Sequence, residues 1–502
     1  MGRSSLWVDV LAGVSVALVL IPQSLAYADL AGMPPWHGLY VAAVAPILAA
    51  FFASSRYLQT GPGAMTSLLT AGALGGMAVA GSNEYVALAA LLALVVGVVR
   101  VSIGILRGGA LAYMMARPVV LGFTMAAALL ILSSQLPAAL GIPAHGVSVL
   151  DRARWVLVHP GQWSMGAVGL SVLTLALMYG GKRLHPLFPG VLAAVLVGLG
   201  ASLLGWPIGP TIGEVPAGLP RPSLNLPWAS LPSLIVPGIV IAIVGFAEAA
   251  AISRTFAIAD RERWEPNKEF ISQGAANVAA GLFGGFPVGG SFSRSSLGRL
   301  AGAKTRRAGA VTGLAVLLFL PWAGVLAPLP RAILGATVIG AVLPLFRPKR
   351  MINIWRQSRP QWMVAWGTFA GTLVAAPHVE YGVLGGVMLA AGVHLWREMR
   401  LTVRASIDNK TLTLSPMGVL WFGSAPHLEL RFNTELARYP EAQNLLLDLG
   451  GLGRVDLSGA ASLSSLIEDA QAAGLKVNFA GVPPHAERIL ARLCPDILRI
   501  ED

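Results

Sequence analysis

The sequence predicts an α-helical polytopic membrane protein with a small α/β domain at its C-terminal end. Three observations predict it. Of 502 residues, 55% are hydrophobic and 12% charged, with a mean hydropathy of +0.68; a soluble domain is typically about 25% charged. Apolar runs long enough to cross about 30 Å of hydrocarbon recur through the first 400 residues. The charge balance then reverses: residues 1–402 carry 27 Lys and Arg against 12 Asp and Glu, and residues 403–502 carry 9 against 12.

Fourteen candidate spans follow in order, with approximate borders. The first seven are 7–22, 37–53, 64–80, 84–106, 117–135, 164–180 and 187–205. The second seven are 231–253, 268–284, 290–302, 307–322, 331–346, 361–376 and 381–398. Arg3, the apolar run to Ile21 and Ala26-Tyr27-Ala28 imitate a cleaved signal peptide. Asp9 interrupts that run and more membrane sequence follows it, so the segment reads as the first span. With the N-terminus inside, inner connections hold 21 Lys and Arg and outer ones only Arg152, Arg154, Arg221 and Arg331. That asymmetry supports an even count with both termini cytoplasmic. It also accounts for the net charge of +12 without a nucleic-acid partner. Arg100, near a cytoplasmic helix end, reads as a snorkelling side chain.

Residues 401–502 read as a separate cytoplasmic domain. NLLLDLG (444–450) and KVNFAGV (476–482) are apolar strand runs. Between them lies an amphipathic helix ending at Gly474, and a second helix covers about 484–494. Strand–helix–strand order implies an α/β fold. The single cysteine, Cys494, excludes an intramolecular disulfide framework.

Two stretches break the membrane pattern alike. LQTGPGAMTSLL (58–69) precedes a short helix in the first half, and GGFPVGGSFSRSSL (284–297) precedes one in the second. Paired Gly/Pro interruptions point to broken helices and a midplane site between inverted repeats. Gln23 and Glu248 sit among apolar neighbours, and each lies 39 residues before a motif proline, Pro62 or Pro287. Repeats of about 1–205 and 230–400, seven spans each, are therefore expected, the second inverted. Two half-helix starts facing each other make an anion site from backbone N–H groups and helix dipoles. Ser291 and Ser293 add hydroxyl donors, and Arg294 adds a full positive charge.

Blander readings stay open beside these. The interruptions could be kinks or packing positions, Arg294 could snorkel or pair with a carbonyl, and Gln23 could bond a neighbouring helix. Glu248 could carry a coupling proton or serve as the structural partner of a cation. No metal-ligand spacing, nucleophile triad or phosphate loop occurs; GPGAMTS (61–67) lacks the P-loop lysine. The chain is expected to need no cofactor, not to be an enzyme and, lacking an ATPase motif, to transport by secondary coupling.

IPQSLAYADLAGMPPWHGLY (21–40), TGPGAMTSL (60–68) and PVGGSFSRSS (287–296) resemble the sulfate permease family of anion transporters, which includes prestin. LLLDLGGLGRVDLSGAASL (445–463) resembles that family's STAS domain. The resemblance implies a seven-plus-seven inverted repeat split into core and gate domains, a homodimer, and elevator-like movement of the core. By resemblance, the anion site takes Gln23 and Tyr27 from the first helix, Gly63, Ala64 and Met65 from the third, and Phe292, Ser293 and Arg294 from the tenth. Gly63 replaces an aromatic residue common in animal members, which implies a roomier pocket. Glu248 falls at the family's ion-coupling position. The sodium site of bicarbonate-type relatives uses aspartate with nearby hydroxyls, whereas Ala249, Ala250, Ala251 and Ile252 follow here, so a proton is favoured. Ser458 lies in the loop that related STAS domains phosphorylate or offer to a partner, although Leu457 stands where another hydroxyl is usual. It reads equally as the N-cap of the following helix.

The expected function is proton-coupled symport of a small anion of the sulfate, bicarbonate or dicarboxylate class, in a bacterial inner membrane. An uncoupled exchanger or channel, an anion sensor signalling through STAS, and a nucleobase permease of the same plan are the alternatives.

Overall fold

The computed structural model describes residues 3–493 except Met115, Ala144, Val147 and Pro220; Cys494 lies outside the described residues. The chain divides into two compact units, Met1–Leu389 and Ala390–Asp502. Each of the fourteen candidate segments contains a helix. The first seven are α1 (Arg3–Leu30), α2 (Trp36–Phe52), α3 (Ala64–Leu74), α4 (Asn83–Ile105), α5 (Arg117–Leu140), α6 (Met165–Leu184) and α7 (Gly190–Leu203). The second seven are α8 (Leu231–Asp260), α9 (Pro266–Leu282), α10 (Phe292–Leu300), α11 (Arg307–Phe319), α12 (Arg331–Val342), α13 (Arg359–Ala375) and α14 (Val379–Glu398). Among the described residues, eight helices are long and apolar enough to cross a membrane. Three connecting helices among the described residues went unread in the sequence: the single turn Leu111–Met114, Val149–Val158, opened by a Ser148–Asp151 capping box, and Pro348–Gln357.

Helices α3 and α10 are short, with 11 and 9 residues, because the chain before each is extended. Thr60–Gly61 (β1) and Gly289–Gly290 (β2) pair antiparallel, Thr60 opposite Gly290 and Gly61 opposite Gly289. Backbone away from water must satisfy its own polar groups, and this ladder does so for both breaks at once. A Cβ on Gly290 would sit 2.8 Å from Leu58 Cδ1 and 3.0 Å from Ala249 Cα, so the close approach requires glycine. Glycines also bring α4 against α9: a Cβ on Gly97 or on Gly274 would lie 2.7 Å from a backbone nitrogen of the other helix.

In the second unit, β3 (Thr402–Asp408) and β4 (Thr411–Leu420) form a hairpin through Asn409 and Lys410, both at positive φ. Strands β5 (Asn444–Asp448) and β7 (Lys476–Ala480) extend the sheet in parallel, giving the order β3-β4-β5-β7, while β6 (Leu452–Val455) pairs with a later part of β4. Leu412, Leu414, Leu445 and Leu447 alternate into the core against helices α15 (Ala425–Arg438), α16 (Leu457–Ala472) and α17 (Pro484–Leu493). The N-cap of α16 is Asp456, whose carboxylate accepts from Gly459 N at 2.7 Å. This corrects the reading of Ser458 as the cap: the helix starts one residue before it, and its side chain is exposed.

Candidate functional site

The β1–β2 ladder sets the starts of α3 and α10 side by side. The residues before them, Gly63 and Ser291, are extended and make no side-chain capping bond. Each helix therefore presents the first-turn N–H groups that a helix leaves unpaired. Gly63 and Ala64 are half-buried, and Met65 is buried. On α10, Phe292 and Ser293 are exposed and Arg294 is buried.

Arg294 joins the two halves. Its Nη2 donates to the Pro62 carbonyl at 2.8 Å and its Nη1 to Gln23 Oε1 at 3.4 Å, while Nε is buried with no partner. Both bland readings left open for this pair hold in part: Arg294 holds a carbonyl and Gln23 bonds a neighbouring helix. Arg294 nonetheless lies in the first turn of α10, and Gln23, inside α1, meets it there. Ser295 Oγ accepts from Gln59 N at 2.9 Å and donates to Ser291 O at 2.7 Å, stitching α10 to the approach of β1.

Tyr27, on α1 one turn after Gln23, is buried. Glu248, on α8, is half-buried. It forms no ion pair with Arg294 within 4.0 Å, so the directly paired structural carboxylate is not what is found. The Phe292 ring stacks on Phe256 with centroids 6.0 Å apart. Ser293 Oγ lies 3.4 Å from Ser291 Oγ. Eight of the sequence candidates thus gather on α1, α3 and α10, with Glu248 beside them. Ser458 belongs to the other unit. No group of His, Cys, Asp and Glu with metal-binding geometry occurs among the described residues.

Arg100 is not a snorkelling residue. It is fully buried, and its guanidinium donates to Ala242 O at 3.0 Å, Ile241 O at 3.2 Å and Val288 O at 2.8 Å. Asn277 holds the same Val288 peptide, with Oδ1 accepting from its N–H at 2.9 Å and Nδ2 donating to its carbonyl at 3.1 Å. Gln273 Nε2 donates to Thr60 Oγ1 at 2.5 Å. Sequence reasoning missed this framework behind the ladder. Its signal was the pair Gln273 and Asn277, one helical turn apart in a small-residue helix, since polar side chains within a membrane segment seek buried partners.

Comparison with known proteins identifies the family. The sulfate permease family model matches residues 6–368 and the STAS domain model matches residues 402–494. A "Probable sulfate transporter" of Mycobacterium tuberculosis is 37% identical over 76% of this chain and 69% of its own length. The sodium-independent sulfate anion transporter of Bos taurus is 28% identical over 97% of this chain and 85% of its own. The murine solute carrier 26 family member A9 anion transporter, solved in an inward-facing state, superposes with a TM-score of 0.86 at 20% identity, covering 98% of this chain and 88% of that one. The transmembrane domain of a cyanobacterial bicarbonate transporter superposes with a TM-score of 0.66 at 21% identity, covering 78% and 99%. The chain therefore belongs to the sulfate permease family, as a multi-pass membrane transporter, not an enzyme, that ends in a STAS domain.

Proposed function

We propose that the chain is a secondary active symporter of small oxyanions, with sulfate the first candidate and bicarbonate and dicarboxylates the next, and that it couples uptake to protons. The observation that carries this reading is the pair of uncapped helix starts, α3 and α10, with Arg294 fastened between them. Two helix dipoles and one guanidinium favour an anion without a metal. The unpartnered Nε–H of Arg294 leaves one further donor for it. The names of the relatives favour sulfate, and that of the bicarbonate transporter widens the class. The fourteen helices would all be spans of a seven-plus-seven inverted repeat, with both termini cytoplasmic in a bacterial inner membrane. The anion would ride with a core that moves against a static gate, in a homodimer.

Glu248 is the coupling group in this reading, because it is a carboxylate beside the site that, among the described residues, no cation within 4.0 Å neutralises. Ala249, Ala250, Ala251 and Ile252 supply none of the hydroxyls a sodium ion would use, which favours a proton. Ser458, exposed near the start of α16, is the candidate site for regulation or a cytoplasmic partner.

The test is uptake of radiolabelled sulfate by purified protein in liposomes, with unlabelled anions as competitors and an imposed proton gradient. Gradient-driven uptake that Glu248→Ala uncouples is expected. Uptake indifferent to the gradient would instead make the chain an exchanger or channel. Binding without uptake would make it a sensor, and competition by neutral bases a nucleobase permease.

A further inference from the structure

The connecting helix Pro348–Gln357 lies between α12 and α13 and belongs to neither. Non-helical backbone bounds it on both sides: Phe346 and Arg347 before it, and Ser358, extended at φ −163° and ψ 110°, after it. Such breaks free it from the direction of the helices it joins. Its sequence, PKRMINIWRQ, sorts cleanly at 3.6 residues per turn. Met351, Ile352, Ile354 and Trp355 fall on one side, and Lys349, Arg350, Asn353, Arg356 and Gln357 on the other.

The apolar side is only partly used by the protein. Met351 is buried, but Ile352 is 59% exposed and Trp355 is 47% exposed. Lys349 and Arg356 flank Ile352 at the polar edge, one turn before and one turn after it, and both are exposed. Trp355 packs edge-on against Trp362 at 4.7 Å, and Arg359 lies over the Trp355 ring at 5.3 Å. Among the described residues, Lys349, Arg350, Arg356 and Arg359 form no ion pair. The sequence offers them no acid nearby either: no Asp or Glu occurs between Glu269 and Glu380.

We propose that this helix lies in the membrane–water boundary on the basic side of the membrane unit and binds the phosphoryl headgroups of anionic lipids. Ile352 and Trp355 enter the acyl boundary, while Lys349, Arg350 and Arg356 hold the phosphates. An amphipathic helix with aromatic anchors and a basic polar face is the chemistry such a surface recognises. Each cation close to an anionic leaflet adds to the attraction. A free anion in water would use the charges but would leave Ile352 and Trp355 without a role.

The test adds phosphatidylglycerol or phosphatidylcholine to the purified full chain in detergent and follows thermal unfolding. Wild type should gain several degrees with phosphatidylglycerol over phosphatidylcholine. The K349Q/R350Q/R356Q variant should lose at least half of that gain, and R152Q/R154Q should keep it. Undiminished gain in the first variant would overturn the proposal. So would a gain from inorganic phosphate alone that the variant abolishes, since that would make the surface a free-phosphate site. An independent reading uses a spin label at Ile352→Cys in a Cys494→Ser background, in phosphatidylglycerol liposomes. Accessibility to oxygen with little access to a polar relaxation agent is expected. A label open to water, or shielded from both reagents by a protein face, would overturn the proposal.

Discussion

Arg294 donates to the carbonyl of Pro62 across 2.8 Å, so one side chain of α10 holds the backbone that starts α3. This bond gives Arg294 two tasks, charge and alignment. Arg294→Ala removes both and leaves a buried carbonyl unpaired, a loss of about 1–3 kcal/mol. Sulfate binding should weaken by roughly tenfold or more. Arg294→Lys keeps the charge but loses the planar fork, and should fall between the two. Titration calorimetry on purified protein reads both variants; unchanged affinity in Arg294→Ala would remove this residue from the site.

Gly63 tests the size of the cradle. Its backbone is extended at φ −150°, which any residue adopts, and an added Cβ would meet only Thr66 Oγ1 at 3.7 Å. Gly63→Phe should therefore fold with little change in melting temperature. Its ring would take space beside the α3 start, so uptake of a dicarboxylate should fall more than uptake of sulfate. A competition panel in liposomes checks this, and an equal fall for both anions would mean that Gly63 does not set the size limit.

Arg100 should prove structural at a distance from the anion. Arg100→Leu withdraws donors from three buried carbonyls, one of them the Val288 carbonyl just before β2. The Val288 carbonyl keeps Asn277 Nδ2 and the other two carbonyls lie within α8, so the loss is of charge-assisted bonds worth about 1.5–3 kcal/mol each at most, and the melting temperature should drop by several degrees. Arg100→Lys should restore only part of it, because an ammonium cannot reproduce the guanidinium fork. Thermal unfolding with and without sulfate separates this role from direct binding: the stabilisation by sulfate should persist in both variants.

Arg100 also marks where the sequence ran out. It lies five residues before Ile105, the end of α4, where a long basic side chain ordinarily reaches the headgroups. Burial follows instead from how α4 rotates against α8 and α9, and hydropathy does not encode rotation. The paired breaks at 58–69 and 284–297 were legible because Gly, Pro and Ser stand out in apolar sequence and recur at one interval. Their joining through β1 and β2 was not legible, since two residues per strand leave no period to read. Arg294 was found as a charge, but its bond to Pro62 depends on a contact 232 positions away in the chain. The helix Pro348–Gln357 was hidden for another reason: its apolar and charged residues average out over any window long enough to find a span.

Asp456 and Ser458 give a contrast within the STAS unit. The Asp456 carboxylate accepts from Gly459 N at 2.7 Å and from Phe422 N at 3.4 Å, so it caps α16 and ties it to the end of β4. Ser458 points outward and makes neither contact. Asp456→Ala should cost about 0.5–2 kcal/mol, the usual loss of an N-cap. Ser458→Ala should stay within about 0.5 kcal/mol, as a surface change away from such features does. Hydrogen exchange on the full chain reads this locally: the amides of Gly459 to Leu463 should exchange faster in Asp456→Ala and at the wild-type rate in Ser458→Ala. Faster exchange in Ser458→Ala would return the capping role to the serine, and a regulatory hydroxyl there would then have to leave the helix start before it could be modified.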